Sequence, residues 1–342
     1  MSYDTDVNVQ YMIMEHIVKV LVTGGAGFIG SNFVRYGLKH HPNWQITTLD
    51  ALTYAGRRET LHDVIEHSRH AFVQGNIMDA AVVDPLVQDA DIVVHFAAET
   101  HVDRSIQSAA SFIQTDVIGT FVLLEAARRN PTLQRFIQIS TDEVYGSVAT
   151  GKSQETDALM PRNPYAASKA AADRLAYSYW ATYGVPVIVT RASNNYGPYQ
   201  FPEKLIPLFI TNALEGDTVP LYGDGLNVRD WLHVEDHCRA IDVLVGVGTN
   251  GEVYNIGGGN EITNLDLTHR ILALLKLPKE RIQPVIDRLG HDRRYAVDTT
   301  KLRSVGWRPQ MLFDTALEET VAWYVREHWW WRPLIATKKV TA

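Results

Sequence analysis

Apolar runs of strand length alternate with amphipathic stretches through the first 192 residues. "IVKVLVTG" (17–24), "QITTLD" (45–50), "AFVQGN" (71–76), "DIVVHFAA" (91–98), "RFIQIS" (135–140) and "PVIVTRAS" (186–193) have the length and β-branched content of strands. Between them, helical spacing is clearest from Ile29 to His40, from Ala109 to Arg129 and from Tyr165 to Tyr183. Such alternation predicts βαβ units and therefore an α/β fold with a doubly wound parallel sheet. Beyond residue 193 the rhythm breaks into segments punctuated by Pro and Gly, with shorter helices near 235–247, 264–275 and 313–328. The expected organisation is an N-terminal extension at 1–15 and a doubly wound unit at 16–193. Residues 194–342 are expected to form mainly a smaller C-terminal α/β unit that closes over the first. The aromatic run "HWWWRPL" (328–334) reads as packing of the C-terminal helix onto the core.

Composition narrows the function classes. The 342 residues are 46% hydrophobic and 21% charged, with a net charge of -7 and no block of Lys or Arg, so neither nucleic acid nor anionic lipid is an expected partner. Cys238 is the only cysteine, which excludes an intrachain disulfide and a thiolate metal cluster and fits a reducing, cytoplasmic setting. The N-terminus carries Asp where a secretory leader would carry Lys or Arg, and no later run approaches the ~20 apolar residues that span a bilayer. A soluble protein with no membrane partner is expected. His95, His101 and Asp103 match no zinc spacing, so no metal site is expected either.

"VLVTGGAGFIGSNF" places Gly24, Gly27 and Gly30 directly after a strand and at the opening of a helix. Glycines there allow a tight turn and close backbone approach to a pyrophosphate seated on the helix N-terminus. Asp50 ends the next strand, 20 positions after Gly30, where a carboxylate binds adenosine ribose hydroxyls. No Arg follows it directly to receive a 2'-phosphate, which favours NAD over NADP. The fold expectation becomes a Rossmann-type dinucleotide-binding unit.

Tyr165 and Lys169 stand four apart at the start of a helix and so share a face. An ammonium beside a phenol favours the phenolate, which predicts a lowered Tyr165 pKa and a base able to take a hydroxyl proton. Upstream, "QISTDEVYGS" (138–147) runs a strand into Thr141, Asp142 and Glu143, two adjacent carboxylates that could divide acid and base roles.

With "TGGAGFIG", "HFAAETHVDRS", "STDEVYG", "YAASK", "SNNYGPYQFPEKLIPLFI", "PLYGDGLNVRDWLHVEDH", "YNIGGGNEITN" and "RLGHDRRYAVD" in this order, the chain resembles the extended short-chain dehydrogenase/reductase family over roughly residues 17 to 332. Within it, the chain closely resembles the dTDP-glucose 4,6-dehydratases. That resemblance implies oxidation of the sugar at C4, with Tyr165 taking the O4 proton beside Thr141 and Lys169. Glu143 would then remove the C5 proton, Asp142 would protonate the departing C6 hydroxyl, and hydride would return to C6. It implies further NAD contacts from Phe28, Ile29, Ala51, Leu52, Thr53, Asn76, Ile77, Ala97, Ala98, Thr115 and Asn195. Substrate contacts are implied for Thr100, Asn194, Lys204, Leu205, Pro220 and Tyr222, the last facing thymine. Arg229, Asn264, Arg288, His291 and Asp292 would contact the diphosphate and nucleoside and complete a lid. A homodimer is likewise implied.

The Asp of the triplet discriminates within the family. Related 4-epimerases typically lack the acid pair, and GDP-mannose 4,6-dehydratases and sugar-acid decarboxylases resemble "TSE" rather than "TDE". The alternatives are another NDP-sugar dehydratase, 4-epimerase or decarboxylase, or a non-catalytic dinucleotide sensor. Three positions depart from the pattern: Asn76 stands where Asp commonly faces adenine, Asp116 where Asn is usual, and Thr100 where Ser is commoner.

Overall fold

Seven parallel strands form the centre of the protein, in the order Val253–Ile256, Val187–Ala192, Arg135–Thr141, Ile92–His95, Val18–Thr23, Trp44–Asp50 and His70–Gln74. The computed structural model describes residues 17–341, so the expected extension at 1–15 lies outside the described residues. The first half comprises β1 (Val18–Thr23), α1 (Phe28–His40), β2 (Trp44–Asp50), β3 (His70–Gln74), α2 (Ala80–Gln88), β4 (Ile92–His95), α3 (Val102–Gln107) and α4 (Ala110–Phe112). A π-helical stretch, Ile113–Gly119, leads into α5 (Thr120–Arg128), β5 (Arg135–Thr141), α6 (Pro164–Tyr183) and β6 (Val187–Ala192). There follow β7 (Asn194–Tyr196), α7 (Leu205–Leu214), β8 (Val219–Tyr222), β9 (Val228–His233), α8 (Val234–Val247), β10 (Val253–Ile256) and β11 (Glu261–Thr263). The chain ends with α9 (Asn264–Leu274), β12 (Ile282–Val285), α10 (Thr300–Ser304), α11 (Phe313–Arg326) and α12 (His328–Thr341).

The expected doubly wound fold is borne out, and its two-residue period shows in the core. Val20, Val22, Ile92, Val94, Ile137 and Ile188 point to one face and pack with α1 and α8. Leu21, Val93, Phe136, Val187 and Val189 point to the other and pack with α2, α5 and α6. The chain crosses back after residue 193: β10 pairs in parallel with β6, and α8 buries Cys238, Ala240, Ile241 and Leu244 on the face shared with α1. An exposed β6 would leave a row of unpaired backbone groups, and β10 covers it. The smaller unit gathers β7, β8, β9, α7, α9, α11 and α12 around a second core that includes Tyr196, Phe209, Trp231 and Tyr324. Trp330 and Trp331 are buried there, the Trp331 indole donating to the Tyr324 carbonyl at 2.7 Å, while Trp329 remains exposed.

One segment is more apolar than its sequence reading suggested. Ala110–Arg128 is long and apolar enough to cross a membrane by length and composition. Its buried side chains, among them Leu123, Leu124, Ala126 and Ala127, pack against the large sheet, as in the core helix of a globular domain.

A buried ion pair anchors the loops at the carboxyl edge. Arg191, at the end of β6, donates from Nε to Asp173 Oδ2 of α6 at 2.8 Å and from Nη1 to the Tyr145 hydroxyl at 2.7 Å. Tyr145 in turn donates to Asn255 Oδ1 of β10 at 2.8 Å. Removing one partner of a fully desolvated pair strands the other charge. Asp173→Asn should therefore destabilise the fold by about 3–5 kcal/mol, read as a fall in the urea midpoint at unchanged slope.

Candidate active site

All the chemistry lies past the carboxyl ends of β1, β2, β4, β5 and β6, where a parallel sheet opens a crevice. Gly24 follows β1 with φ 70°, and a Cβ there would sit 2.6 Å from the Ala97 amide nitrogen. A Cβ on Gly30 would run into the Gly24 carbonyl. Only glycine lets the turn close this tightly against the β4 loop. Gly27 caps α1 without a side-chain hydrogen bond, so first-turn N–H groups are left to an anion. Asp50 closes β2, accepting from the Ala26 amide at 2.9 Å and the Leu52 amide at 2.8 Å, and burial pushes its pKa up.

The same cleft is lined by Phe28, Ile29, Ala51, Thr53, Asn76, Ile77, Ala97, Ala98, Thr115 and Asn195. Leu52 is held beside Asp50 rather than lining the cleft. The residues lining it around Asp50 include no Lys or Arg. The glycine cradle, the open helix N-terminus and the strand-end carboxylate fit a dinucleotide with a free ribose, as in NAD.

Thr141, Glu143, Tyr165 and Lys169 line the other end of the cleft, together with Thr100, Asn194 and Lys204. Tyr165 and Lys169 stand on the first turns of α6, which Asn163 caps by accepting from the Ala166 amide at 2.8 Å, with Pro164 at the first position. The paired acids open a short 3-10 turn, Asp142–Tyr145, at the end of β5. Thr141 Oγ1 donates to Asp142 Oδ1 at 3.2 Å and accepts from the Glu143 amide at 3.3 Å.

The two carboxyls sit in different surroundings. Asp142 is buried, its Oδ2 has no hydrogen-bond partner, and its pKa is raised well above the carboxylate range by burial first and then by Glu143 and Asp230. Glu143 is half-buried, accepts on Oε2 from Asn163 at 3.3 Å and lies 3.4 Å from the Tyr295 hydroxyl oxygen.

The phenol departs from the sequence expectation. Lys169 was expected to lower the Tyr165 pKa. Instead burial, then Glu143, Asp116 and Asp142, raise it well above the ordinary value, against a hydrogen bond with Thr141. The Lys169 ammonium faces Asp116 and Asp173, and its own pKa is lowered because burial outweighs both. His95 is a satisfied core histidine, between the Thr23 hydroxyl at 2.7 Å and the Thr120 hydroxyl at 3.0 Å, and burial pushes its pKa down to about 3. Among the described residues no group of His, Cys, Asp and Glu could hold a metal ion.

The smaller unit supplies a second cluster. Arg229 lies over the Tyr295 ring at 4.4 Å and donates to the Asp292 carbonyl at 3.0 Å. The Asp292 carboxylate is already engaged, by Arg162 at 3.1 Å and the Tyr295 hydroxyl at 2.6 Å, so it orients its neighbours. Tyr222 meets His291 edge-on and donates to Asp103 at 3.3 Å, and Arg288 lies 3.9 Å from the same carboxylate. Asn264 is buried with Oδ1 unpartnered. Leu205 opens α7 directly after Lys204, whose Nζ donates to the Thr100 carbonyl at 2.5 Å, and Pro220 lies within β8.

Sequence reasoning missed Tyr54, Glu99, Glu203 and His237, which also line the cleft. His237 Nδ1 lies 2.9 Å from Asn195 Oδ1, and burial holds the ring neutral. It arrives from α8, and no local signal announces that helix's return to the large sheet. Tyr295 was visible only as part of "RRYAVD".

The sequence profile of the GDP-mannose 4,6 dehydratase family matches residues 21–320. The chain belongs to this family. A dTDP-glucose 4,6-dehydratase of Streptomyces niveus is 52% identical over 329 residues, covering 95% of this chain and 98% of the relative. The low-salt glycan biosynthesis protein Agl12 of Haloferax volcanii is 54% identical over 306 residues, covering 90% and 98%. The crystal structure of DesIV, a dTDP-glucose 4,6-dehydratase from Streptomyces venezuelae with NAD bound, superposes with a TM-score of 0.91 at 50% identity, covering 93% of this chain and 100% of that one. The resemblance read from the motifs is borne out.

Asp142 links the site to stability. Its folded pKa is raised, so the folded state keeps a proton that the unfolded chain releases above about pH 4, and its contribution declines as pH rises from there. Asp142→Asn has no such proton to lose. The Tm of the variant should gain on wild type between pH 4 and pH 8, measured by calorimetry across that range, while its turnover falls.

Proposed function

We propose that the chain catalyses NAD-dependent dehydration of dTDP-glucose to the 4-keto-6-deoxy sugar. The observation that carries this reading is the division of the acid pair: Asp142 buried with its proton held and Oδ2 unpartnered, Glu143 beside it open to the cleft. NAD, which the turn of Gly24, Gly27 and Gly30 and the Asp50 carboxylate would hold, would supply the acceptor for the C4 hydride and its donor to C6, and its cationic ring would favour the phenolate of Tyr165.

Tyr165 accepts the O4 proton, with Thr141 hydrogen-bonding the same oxygen. The C4 ketone makes the C5 proton acidic; Glu143 removes it and gives a proton back to C5 once hydride has added at C6. Asp142 delivers its proton to the C6 hydroxyl, which departs as water. A protonated carboxyl is the form that can do this, and the dry site beside Glu143 supplies it. Lys204, Asn194 and Thr100 stand at the sugar end of the cleft. Arg229 is placed for the diphosphate and Tyr222 for the base, as a cation and a planar ring suit those groups.

The "TDE" triplet favours a dTDP-sugar over a GDP-sugar within the family. One buried cysteine fits a cytoplasmic setting. Two copies would pair through Ile113, Ile118, Phe121 and Tyr177, exposed apolar side chains on the π-helical stretch, α5 and α6, which pack against one another.

Incubating the protein with dTDP-, UDP- and GDP-glucose and weighing the products for loss of water tests the reading. Preference for dTDP-glucose and release of NAD rather than NADP on denaturation are expected; an equal or better rate with a GDP-sugar would sink it. Glu143→Gln should cut dehydration by ~10² to 10⁴ while cofactor reduction survives, whereas Tyr165→Phe should suppress that reduction. Light scattering should show a dimer that Phe121→Asp converts to monomers.

A further inference from the structure

Position 116 carries a carboxyl in the π-helical turn between α4 and α5. Asp116 is buried, and both oxygens are used. Oδ1 accepts from the Glu99 amide at 2.8 Å, and Oδ2 accepts from the Ser168 hydroxyl at 2.6 Å. Ser168 lies one turn beyond Tyr165 and next to Lys169 on α6. Glu99 immediately precedes Thr100 in the loop after β4. One side chain therefore clasps the helix carrying the phenol and the ammonium to the loop at the sugar end of the cleft.

We propose that Asp116 is a positioning residue for the Tyr165 and Lys169 pair, holding α6 against the Glu99 loop and supplying the buried negative charge that both groups face. The assignment rests on the reading of Tyr165 as the base. Burial pushes the Asp116 pKa up to about 6, with Lys169 the largest opposing influence. In return Asp116 is the largest influence sustaining the Lys169 ammonium against burial, ahead of Asp173. It also raises the phenol, after Glu143 and ahead of Asp142. From the loop after β4, Glu99 adds a further carboxylate, its pKa also raised by burial. His95 of β4 is neutral and contributes no charge.

The sign follows from these pairings. As pH rises through about 6, Asp116 becomes an anion, which supports the ammonium and opposes the phenolate. Asp116→Asn removes that charge and keeps the clasp. The amide oxygen still accepts from Glu99, and the amide nitrogen donates to Ser168 Oγ, whose proton turns to the Tyr165 carbonyl 2.8 Å away. Ser168→Ala does the opposite: it keeps the carboxyl and deletes a donor that stabilises its anion.

The test reads two quantities. Single-turnover formation of reduced cofactor with dTDP-glucose is followed against pH, where the acid limb in Asp116→Asn should move to lower pH by on the order of one unit. Separately, protein labelled with ¹³C at the Asp carboxyl carbons is titrated by NMR without substrate. The resonance lost in Asp116→Asn should titrate near pH 6 in wild type and higher in Ser168→Ala. A superposable acid limb, a midpoint in the ordinary range near 4, or an unmoved midpoint in Ser168→Ala would overturn the proposal. If Tyr165→Phe abolishes cofactor reduction and the limb of Asp116→Asn does not move, only the Asp116 assignment falls. Cofactor reduction at the wild-type rate in Tyr165→Phe would remove the base assignment and this inference with it.

Discussion

Every strand of the large sheet runs in one direction, and the active site depends on that constraint. Parallel pairing brings all the carboxyl ends to one edge, so the glycine turn after β1, Asp50 at the end of β2, the Ala97 loop after β4 and the acid turn after β5 meet in one cleft. Register makes the alignment specific. β5 pairs with β4 as His95↔Gln138 and with β6 as Thr141↔Ala192, which sets Thr141 level with the strand end that leads to Asn194 and Asn195. A slip of one residue would turn Thr141 and its neighbours to the opposite face.

Burial then gives these groups their chemistry. Identical carboxyls differ once one is dry and the other reaches the cleft, and this asymmetry lets neighbouring acids take opposite roles. The same burial raises the Tyr165 phenol and lowers the Lys169 ammonium, so dryness opposes charge at both. Charge is kept where it has partners. Asp173 holds both Arg191 and Arg174, and Arg191 passes that anchorage through Tyr145 to the turn bearing Asp142 and Glu143.

The smaller unit reaches this edge through a few polar contacts. Tyr295 donates to Asp292 and lies 3.4 Å from Glu143 while its ring supports Arg229. Lys204 reaches back to the Thr100 carbonyl, and Tyr222 to Asp103 of α3. A nucleotide-sugar held between the units would thus touch residues that already bridge them.

The order of strands and helices, the glycine turn, the strand-end Asp50 and the pairing of Tyr165 with Lys169 were legible in the chain, because each rests on spacing within one or two elements. "TDE" identified the acid pair for the same reason. Charge state was not legible, since it depends on what surrounds a group after folding: burial and carboxylates from positions 116, 142 and 143 raise the phenol that a Lys four residues along the helix is expected to lower. Nor could local pattern reveal that α8 and β10 return to the large sheet, bringing His237 to Asn195, or that Tyr295 bridges Glu143 and Asp292. Local periodicity and motif spacing are enough to say which chemistry the chain carries. Which of those groups are dry, which are paired and which hold their protons follows from folding, because desolvation and charge pairing are set by residues distant in the chain.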